Sequence, residues 1–425
     1  MAKGSKEKTS KKRKVRADDE QENTEADIYS ADAIIDAVST PKTARSLKRS
    51  RHDEPELDTS KPSAVFKPKK GRDWTLSIAL PGSFIANTKV IDQKYELAAR
   101  IARAAAVFCV DEVVIFDDAP TTIPPHGRRK GKSQTKAEIL SQVRPDAEPW
   151  ENPDQFLYHL LSFLECPGHL RHHLFEEHPN LKGVGKLPTL DMPHHMRSDE
   201  WSQYREGATL EPAPGTNSAD STLVECGLPY PVTLPYSIPP GTRVTLKFAS
   251  SEPPPSWPNL SEYEIDNLEV EATAPSAPRE EAGYYWGYNV RKVDNFSAVY
   301  TDSPFLPDGY DCTIGTSERG VALSSIMPDA HTATTRQKHA ATEKTGKLPD
   351  EFKHLLLVIG GVTGLEPAVA SDPELQKMGM TKETAHEAFD HWVNLVPGQG
   401  SRTIRTEEAV WLALMGTRDY VYARM

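Results

Sequence analysis

Apolar positions in this chain change their period along its length, and each change marks a different kind of element. From Trp74 onward, Thr75-Leu76-Ser77-Ile78-Ala79-Leu80 reads as a strand that Pro81-Gly82 brings to an end. Leu97, Ile101, Ala104, Ala105 and Phe108 then recur at helical spacing, and Val113-Val114-Ile115-Phe116 gives a second buried strand. A strand, a helix and a strand in that order predict a parallel sheet with a right-handed crossover. Asp154 to Glu165 supplies another helix, and from Pro167 the chain returns toward the sheet. Further on, His354-Leu355-Leu356-Leu357-Val358-Ile359 is a short apolar run of the kind buried on both faces of a parallel sheet. Ala409, Val410, Ala413 and Leu414 return to three- and four-residue spacing, so a last helix docks on the core.

Between about Arg205 and Ala282 the helical periods stop. Eleven prolines fall between Pro212 and Pro258, and short alternating runs take over. Strand candidates at Thr222 to Cys226, Arg243 to Phe248, Tyr263 to Ala272 and Tyr284 to Val290 predict a small inserted barrel. Tyr284, Tyr285, Trp286 and Tyr288 have two readings, a platform on which bases stack or the filling of a core or domain seam. Residues 1–72 lack a sustained apolar pattern and are expected to be disordered, with Ile28 to Val38 able to form a transient helix on a partner.

Charge sharpens this division. Residues 1–72 hold 18 lysines and arginines against 13 acidic residues, leaving 32 against 48 for the rest. An acidic body that meets RNA needs local basic strips, and His126-Gly127-Arg128-Arg129-Lys130-Gly131-Lys132 is the candidate, although a solvated loop reads the same way. Lys11-Lys12-Arg13-Lys14-Val15-Arg16 resembles a nuclear-localisation signal, so a nuclear location is expected. No apolar run reaches the length of a membrane span, and the lysine-rich start lacks the pattern of a secretory signal. Cys109, Cys166, Cys226 and Cys312 are too scattered for a local zinc motif and read as core thiols of a reducing compartment. The pairs His172/His173 and His194/His195 have no cysteine partner and not the spacing of a helical zinc site, so no metal is expected.

Three glycine-bearing segments follow strand-like runs: Asp311 to Gly320, Gly360-Gly361-Val362-Thr363-Gly364-Leu365-Glu366, and Pro397-Gly398-Gln399-Gly400-Ser401-Arg402-Thr403-Ile404-Arg405. Ligands of open α/β sheets sit beyond the carboxyl ends of the strands, so the three loops are expected to line one pocket. Glycines there permit positive φ or close approach of backbone to a ligand. Thr406, followed by Glu407 and Glu408, reads as the N-cap and acidic first turn of the last helix. Gly360 to Gly364 lacks the Gly-Lys-Ser/Thr ending of a phosphate loop, which disfavours an NTPase.

These loops, with Leu80-Pro81-Gly82-Ser83, the stretch from Ala102 to Val113, Pro193-His194-His195-Met196-Arg197 and Tyr285-Trp286-Gly287-Tyr288, resemble the eukaryotic and archaeal RNA methyltransferases of the SPOUT superfamily. The resemblance runs from about Trp74 to about Leu414, apart from the proline-rich insert. It implies a SPOUT-type α/β fold with a C-terminal trefoil knot that binds S-adenosylmethionine, an OB-like inserted barrel and a homodimer paired through the knot. The domains would be a tail at 1–72, the methyltransferase domain at 73–204 and 283–425, and the insert at 205–282. The loop from Gly400 to Glu407 is also similar to that of bacterial enzymes that methylate a uridine ring nitrogen in small-subunit ribosomal RNA.

Carried onto this sequence, the resemblance implies a donor site at Gly315, Thr316, Ser317, Glu318, Gly360, Gly361, Gly364, Leu395, Pro397, Gly398, Gly400, Ser401, Thr403 and Ile404. RNA contacts are expected at Arg128, Arg129, Lys130, Lys132, His194, His195, Arg197 and Arg405. Methyl transfer from a sulfonium relies chiefly on alignment, and methylation of a uridine nitrogen leaves negative charge that a guanidinium would stabilise. Arg402 is the candidate for that catalytic role, electrostatic and orienting rather than basic. Glu318 and Glu407 are expected either to touch polar groups of the donor or to be structural. The alternative function is a knotted RNA- or protein-binding scaffold in ribosome assembly or on a mitotic structure.

Overall fold

The structure, a computed structural model, describes residues 68, 70–118, 152–212, 221–328 and 346–424. Most of the expected disordered tail, the nuclear-localisation hexamer and the basic strip with Arg128, Arg129, Lys130 and Lys132 lie outside the described residues; the end of the tail is corrected, because Arg72 is buried and its Nη2 donates to Asp111 Oδ1 at 2.7 Å.

The apolar runs form the sheet that their burial requires. Strand β1 (Thr75–Pro81) pairs in parallel with β2 (Glu112–Phe116) on one side and with β10 (His354–Val358) on the other. With β8 (Asn289–Val293), β9 (Cys312–Ala322) and β11 (His391–Asn394), the order is β11-β9-β10-β1-β2-β8, every pair parallel. Side chains alternate between two cores. Ile78, Leu80, Val113, Leu355 and Leu357 face one cluster, while Ala79, Val114, Leu356 and Val358 face the other. The first cluster is covered by helix α1 (Ile91–Val107), helix α2 (Pro153–Glu165) and Val410, Ala413 and Leu414 near the C-terminus. Asn152 caps α2, its side-chain oxygen accepting from Gln155 N at 3.0 Å with Pro153 in the first turn. The chain leaves β1 toward β2 and β8, then returns to the opposite side of β1 for β10, β9 and β11. That reversal at β1/β10 is the topological switch point, where a crevice opens beyond the strand ends.

The proline-rich stretch forms a separate antiparallel sheet, ordered β5-β4-β3-β6-β7: β3 (Tyr204–Thr209), β4 (Thr222–Glu225), β5 (Val232–Leu234), β6 (Arg243–Phe248) and β7 (Val270–Thr273). Its outer strands β5 and β7 approach each other, and Val224, Val232, Leu246, Phe248 and Ile265 fill the interior.

Two expected strands are corrected. Tyr263 begins inside helix α3 (Glu262–Asp266), because Ser261 and Glu264 form a reciprocal capping box, and β7 starts only at Val270. Tyr284 to Tyr288 is not a barrel strand either: β8 begins at Asn289 and belongs to the parallel sheet. Tyr285 and Tyr288 are buried in the main core and donate their hydroxyls to Ala105 O at 3.2 Å and Leu161 O at 3.1 Å. They fill a core and offer no face to a base.

Candidate active site

Three chain segments converge at one end of the parallel sheet: an arch within β9 and the segments that follow β10 and β11. After β10, Ile359 N still donates to Ala79 O at 2.8 Å, and then the chain reverses through Gly360 to Gly364, closed by Gly364 N to Gly361 O at 3.1 Å. Gly364 has φ +84°, and a Cβ on Gly360 would lie 2.8 Å from Gly364 backbone, so the turn is tight enough to require both glycines. Helix α4 (Glu366–Ser371) follows, anchored by buried Leu365.

The segment after Gly315 is not a free loop, which corrects the expectation. Strand β9 continues to Ala322, and its register with β11 jumps from Trp392↔Gly315 to Val393↔Val321, so Thr316 to Gly320 arch out between the two pairings. Gly315 itself is explained by packing: a Cβ there would press on the Phe389 and Trp392 rings at 2.7–2.8 Å. The arch is held by Thr316 Oγ1 donating to Val358 O at 3.1 Å, Ser317 Oγ to Glu366 Oε1 at 3.1 Å, and Asn394 Nδ2 to Glu318 O at 2.9 Å.

The third segment leaves β11 and runs into helix α5 (Thr406–Gly416). Its N-cap is Arg405, not Thr406, because Arg405 N donates to Glu408 Oε2 at 2.9 Å. Thr406 Oγ1 is thereby free to donate to Gly360 O at 3.1 Å and ties the last loop to the glycine turn. Gly398 has φ +79°, whereas a Cβ on Gly400 would meet nothing within 4 Å, so no close approach explains the second glycine.

Together these segments enclose a cleft of about 550 Å³. Of the expected donor residues, Thr316, Ser317, Glu318, Gly360, Gly361, Gly364, Leu395, Thr403 and Ile404 line it, and so does Arg402. Gly315, Pro397 and Gly398 do not, while Gly400 and Ser401 face a neighbouring open groove. The walls also carry Arg319, Glu366, Lys382, Glu383 and Asn394, which sequence reading passed over. Glu366 follows the glycine turn directly and was legible there; Lys382 and Glu383 arrive from a distant polar loop and carry no motif. Arg402 is exposed and makes no hydrogen bond or ion pair among the described residues.

A second cleft, of about 570 Å³, lies against the first across Val362, Thr403 and Ile404, which belong to both. Its other wall comes from α1 and the turn before it, including Asn87, Gln93, Glu96 and Arg100. Arg405 and Glu407 complete it, so Glu407 stands outside the expected donor site.

Residues 75–417 match the family model described as "Putative RNA methyltransferase". The chain belongs to that family. The match takes in both sheets and all three converging segments. This methyltransferase is also 36% identical over 373 residues to a human protein named 28S rRNA (uridine-N(3))-methyltransferase, covering 86% of this chain and 84% of the relative. The mouse protein of the same name is 37% identical (81% and 76% covered), and that of Drosophila melanogaster 34% (81% and 62% covered).

The histidines of the methyltransferase stand elsewhere. His194 is buried, and its Nε2 lies 2.8 Å from Glu165 Oε1 and 3.0 Å from Glu165 O. Both partners are acceptors, so Nε2 carries the proton. His195 Nε2 donates to Glu165 O at 2.5 Å, and burial, with His194 beside it, pushes the His195 ring down to about 3. Both rings are thereby committed to Glu165. Neither ring lines either cleft; nor does Arg197, whose side chain is exposed and whose backbone N–H donates to Glu200. Among the described residues, no group of three or more His, Cys, Asp or Glu is placed to hold a metal.

Proposed function

We propose that this methyltransferase transfers a methyl group from S-adenosylmethionine to N3 of a uridine in large-subunit ribosomal RNA. The observation that carries the reading is the pair of clefts that share Thr403 and Ile404, one suited to a donor and the other open to an acceptor. The uridine and its RNA come from what the human, mouse and fly relatives are named for. The first cleft suits S-adenosylmethionine by its donor set. Glu318, Glu366 and Glu383 match the ammonium, Arg319 and Lys382 match the carboxylate, and Ile359, Leu395 and Ile404 beside glycine backbone suit a flat adenine. Bound there, it would supply an electrophilic methyl group. The chain's part is to align the acceptor, exclude water and stabilise charge on the base. The test is nucleoside mass spectrometry of large-subunit RNA from cells lacking the protein, where a missing 3-methyluridine is expected. If calorimetry detects no S-adenosylmethionine binding, the scaffold reading takes its place.

The same proposal includes a trefoil knot spanning β9 to α5 and an OB-like insert. The bond from Thr406 to Gly360 between the last loop and the glycine turn supports the first, and the approach of β5 to β7 supports the second. A crystal structure tracing residues 312–416 without a threaded loop would remove the knot.

Two expectations arise from this site. Gly364→Val puts a β-branched residue at φ +84° and drives its Cβ into the Glu366 carboxylate. At a cost of about 1–3 kcal/mol of backbone strain, donor affinity is expected to fall about tenfold or more. Gly400→Ala meets open space and is expected to stay within about twofold. Calorimetry on both variants, with thermal unfolding as control, checks the contrast.

The second concerns assembly. Helix α5 buries Val410, Ala413 and Leu414, yet its outer side carries half-buried Trp411, Leu412 at 37% exposure and Met415 at 65%. A surface helix that is apolar all round calls for cover, and we take the cover to be a second copy. A Leu412→Glu/Met415→Glu variant is expected to be monomeric by light scattering at micromolar concentration where the parent is dimeric. A monomeric, fully active parent would end the idea.

A further inference from the structure

Glu407 is only 4% exposed, and its Oε1 is shut off from water with no hydrogen-bond partner among the described residues. A carboxylate in that state is expensive unless something meets it. Its position in the first turn of α5 offsets part of the expense, since the positive end of the helix dipole favours an anion there. Glu407 is among the residues that line the second cleft, which adjoins the donor cleft across Val362, Thr403 and Ile404. The charged groups around it are Glu96 and Arg100 from α1 and Arg405 and Glu408 from the start of α5, and none of them forms an ion pair with it.

We propose that Glu407 is a catalytic residue that accepts the N3 proton of the target uridine. This rests on the uridine reading given above. The reacting edge of uracil presents one donor, N3–H, between two carbonyl acceptors. A carboxylate matches the donor, and the amides of Asn87 and Gln93 and the guanidinium of Arg100, all on the same cleft, match the carbonyls. In the step, the N3–H bond breaks and its electron pair stays on the base, spread over N3 and the two carbonyl oxygens. The proton passes to a Glu407 oxygen and is lost to solvent once the product leaves. Cytosine has an acceptor at N3 instead, so an ionised carboxylate also selects uridine over cytidine.

The experiment uses the full chain and protein-free large-subunit RNA from cells lacking the protein. First, the parent enzyme is assayed for 3-methyluridine by mass spectrometry; none would overturn the uridine reading and this inference with it. Where 3-methyluridine forms, Glu407→Gln is expected to lower single-turnover rate about a hundredfold or more. The acid limb of its pH–rate profile should vanish, with S-adenosylmethionine affinity and thermal midpoint unchanged. By fluorescence anisotropy without donor, the variant is also expected to lose the parent's preference for the unmethylated target RNA over a copy with cytidine at the target position. Glu407→Asp, which keeps an ionisable oxygen, should keep the acid limb at reduced rate. A Glu407→Gln enzyme within tenfold of the parent, with the parent's pH profile and uridine preference, overturns the inference and leaves the uridine reading standing.

Discussion

Arg402→Ala is expected to lower turnover about a hundredfold at saturating donor while S-adenosylmethionine affinity stays within a few-fold. That is the scale of loss when one preorganised group facing developing charge is removed. Arg402 lies on the wall of the donor cleft immediately before Thr403 and Ile404, the residues common to both clefts. It has no partner among the described residues, so its guanidinium is not committed to the fold and is available to the carbonyl oxygen of a bound uracil. Arg319 contrasts with it, standing 3.8 Å from Glu366 across the same cleft. Arg402→Lys should rescue poorly, because a point charge does not reproduce the planar fork. Steady-state kinetics and calorimetry separate the two roles. If Arg402→Ala loses donor affinity and keeps its turnover once donor is saturating, Arg402 is a ligand of the donor's carboxylate and the electrostatic role is wrong.

The parallel sheet was legible because its strands are buried on both faces, so β1, β2 and β10 announce themselves as short apolar runs. The helices α1, α2 and α5 were legible from their spacing. Glycine was a less faithful guide. At Gly360 and Gly364 it marks a turn that only glycine makes, but at Gly315 it marks the pressure of two aromatic rings, and at Gly400 neither. The difference lies in tertiary neighbours, which a local pattern does not contain. Tyr263 was misread for a more local reason: alternation suggested a strand, while the Ser261/Glu264 box three residues apart starts a helix. The second cleft had no signal, since its walls are brought together from α1 and the start of α5, some 300 residues apart, as the bond from Trp411 Nε1 to Arg100 O shows. Glu407 read either as a contact to the donor or as a structural helix-start anion. Only its burial without a partner sets it apart.

Arg243→Ala is expected to destabilise the protein by about 3 kcal/mol, from a network that joins the antiparallel sheet to helix α2 beside the parallel one. Arg243, on β6, donates from Nη1 to Glu165 Oε2 at 2.5 Å, from Nη2 to Glu165 Oε1 at 3.1 Å and from Nε to Glu206 Oε2 at 2.6 Å. Trp286 Nε1 and Thr245 Oγ1 each donate to Glu206 Oε1 at 2.7 Å, and a side chain at Gly287, φ +87°, would run into Glu165. Removing the guanidinium strands two buried carboxylates, which costs more than the ion pair contributes; the low end of the usual range applies because Arg243 is itself about a third exposed. Burial alone would raise the Glu165 carboxyl, but Arg243 and then His194 outweigh it and hold it well below the ordinary carboxylate range. A depressed native value means stability that is present at neutral pH, where the unfolded carboxyl is also ionised. It erodes as pH falls below roughly 4 toward that depressed value. Urea unfolding at pH 7 should therefore separate parent from variant, and the gap should narrow as the solution is acidified. An Arg243→Met/Glu165→Gln/Glu206→Gln variant, which leaves no stranded charge, should recover much of the loss. A single Arg243→Ala within 1 kcal/mol of the parent, or a gap that widens in acid, would show that the network does not hold the two sheets together.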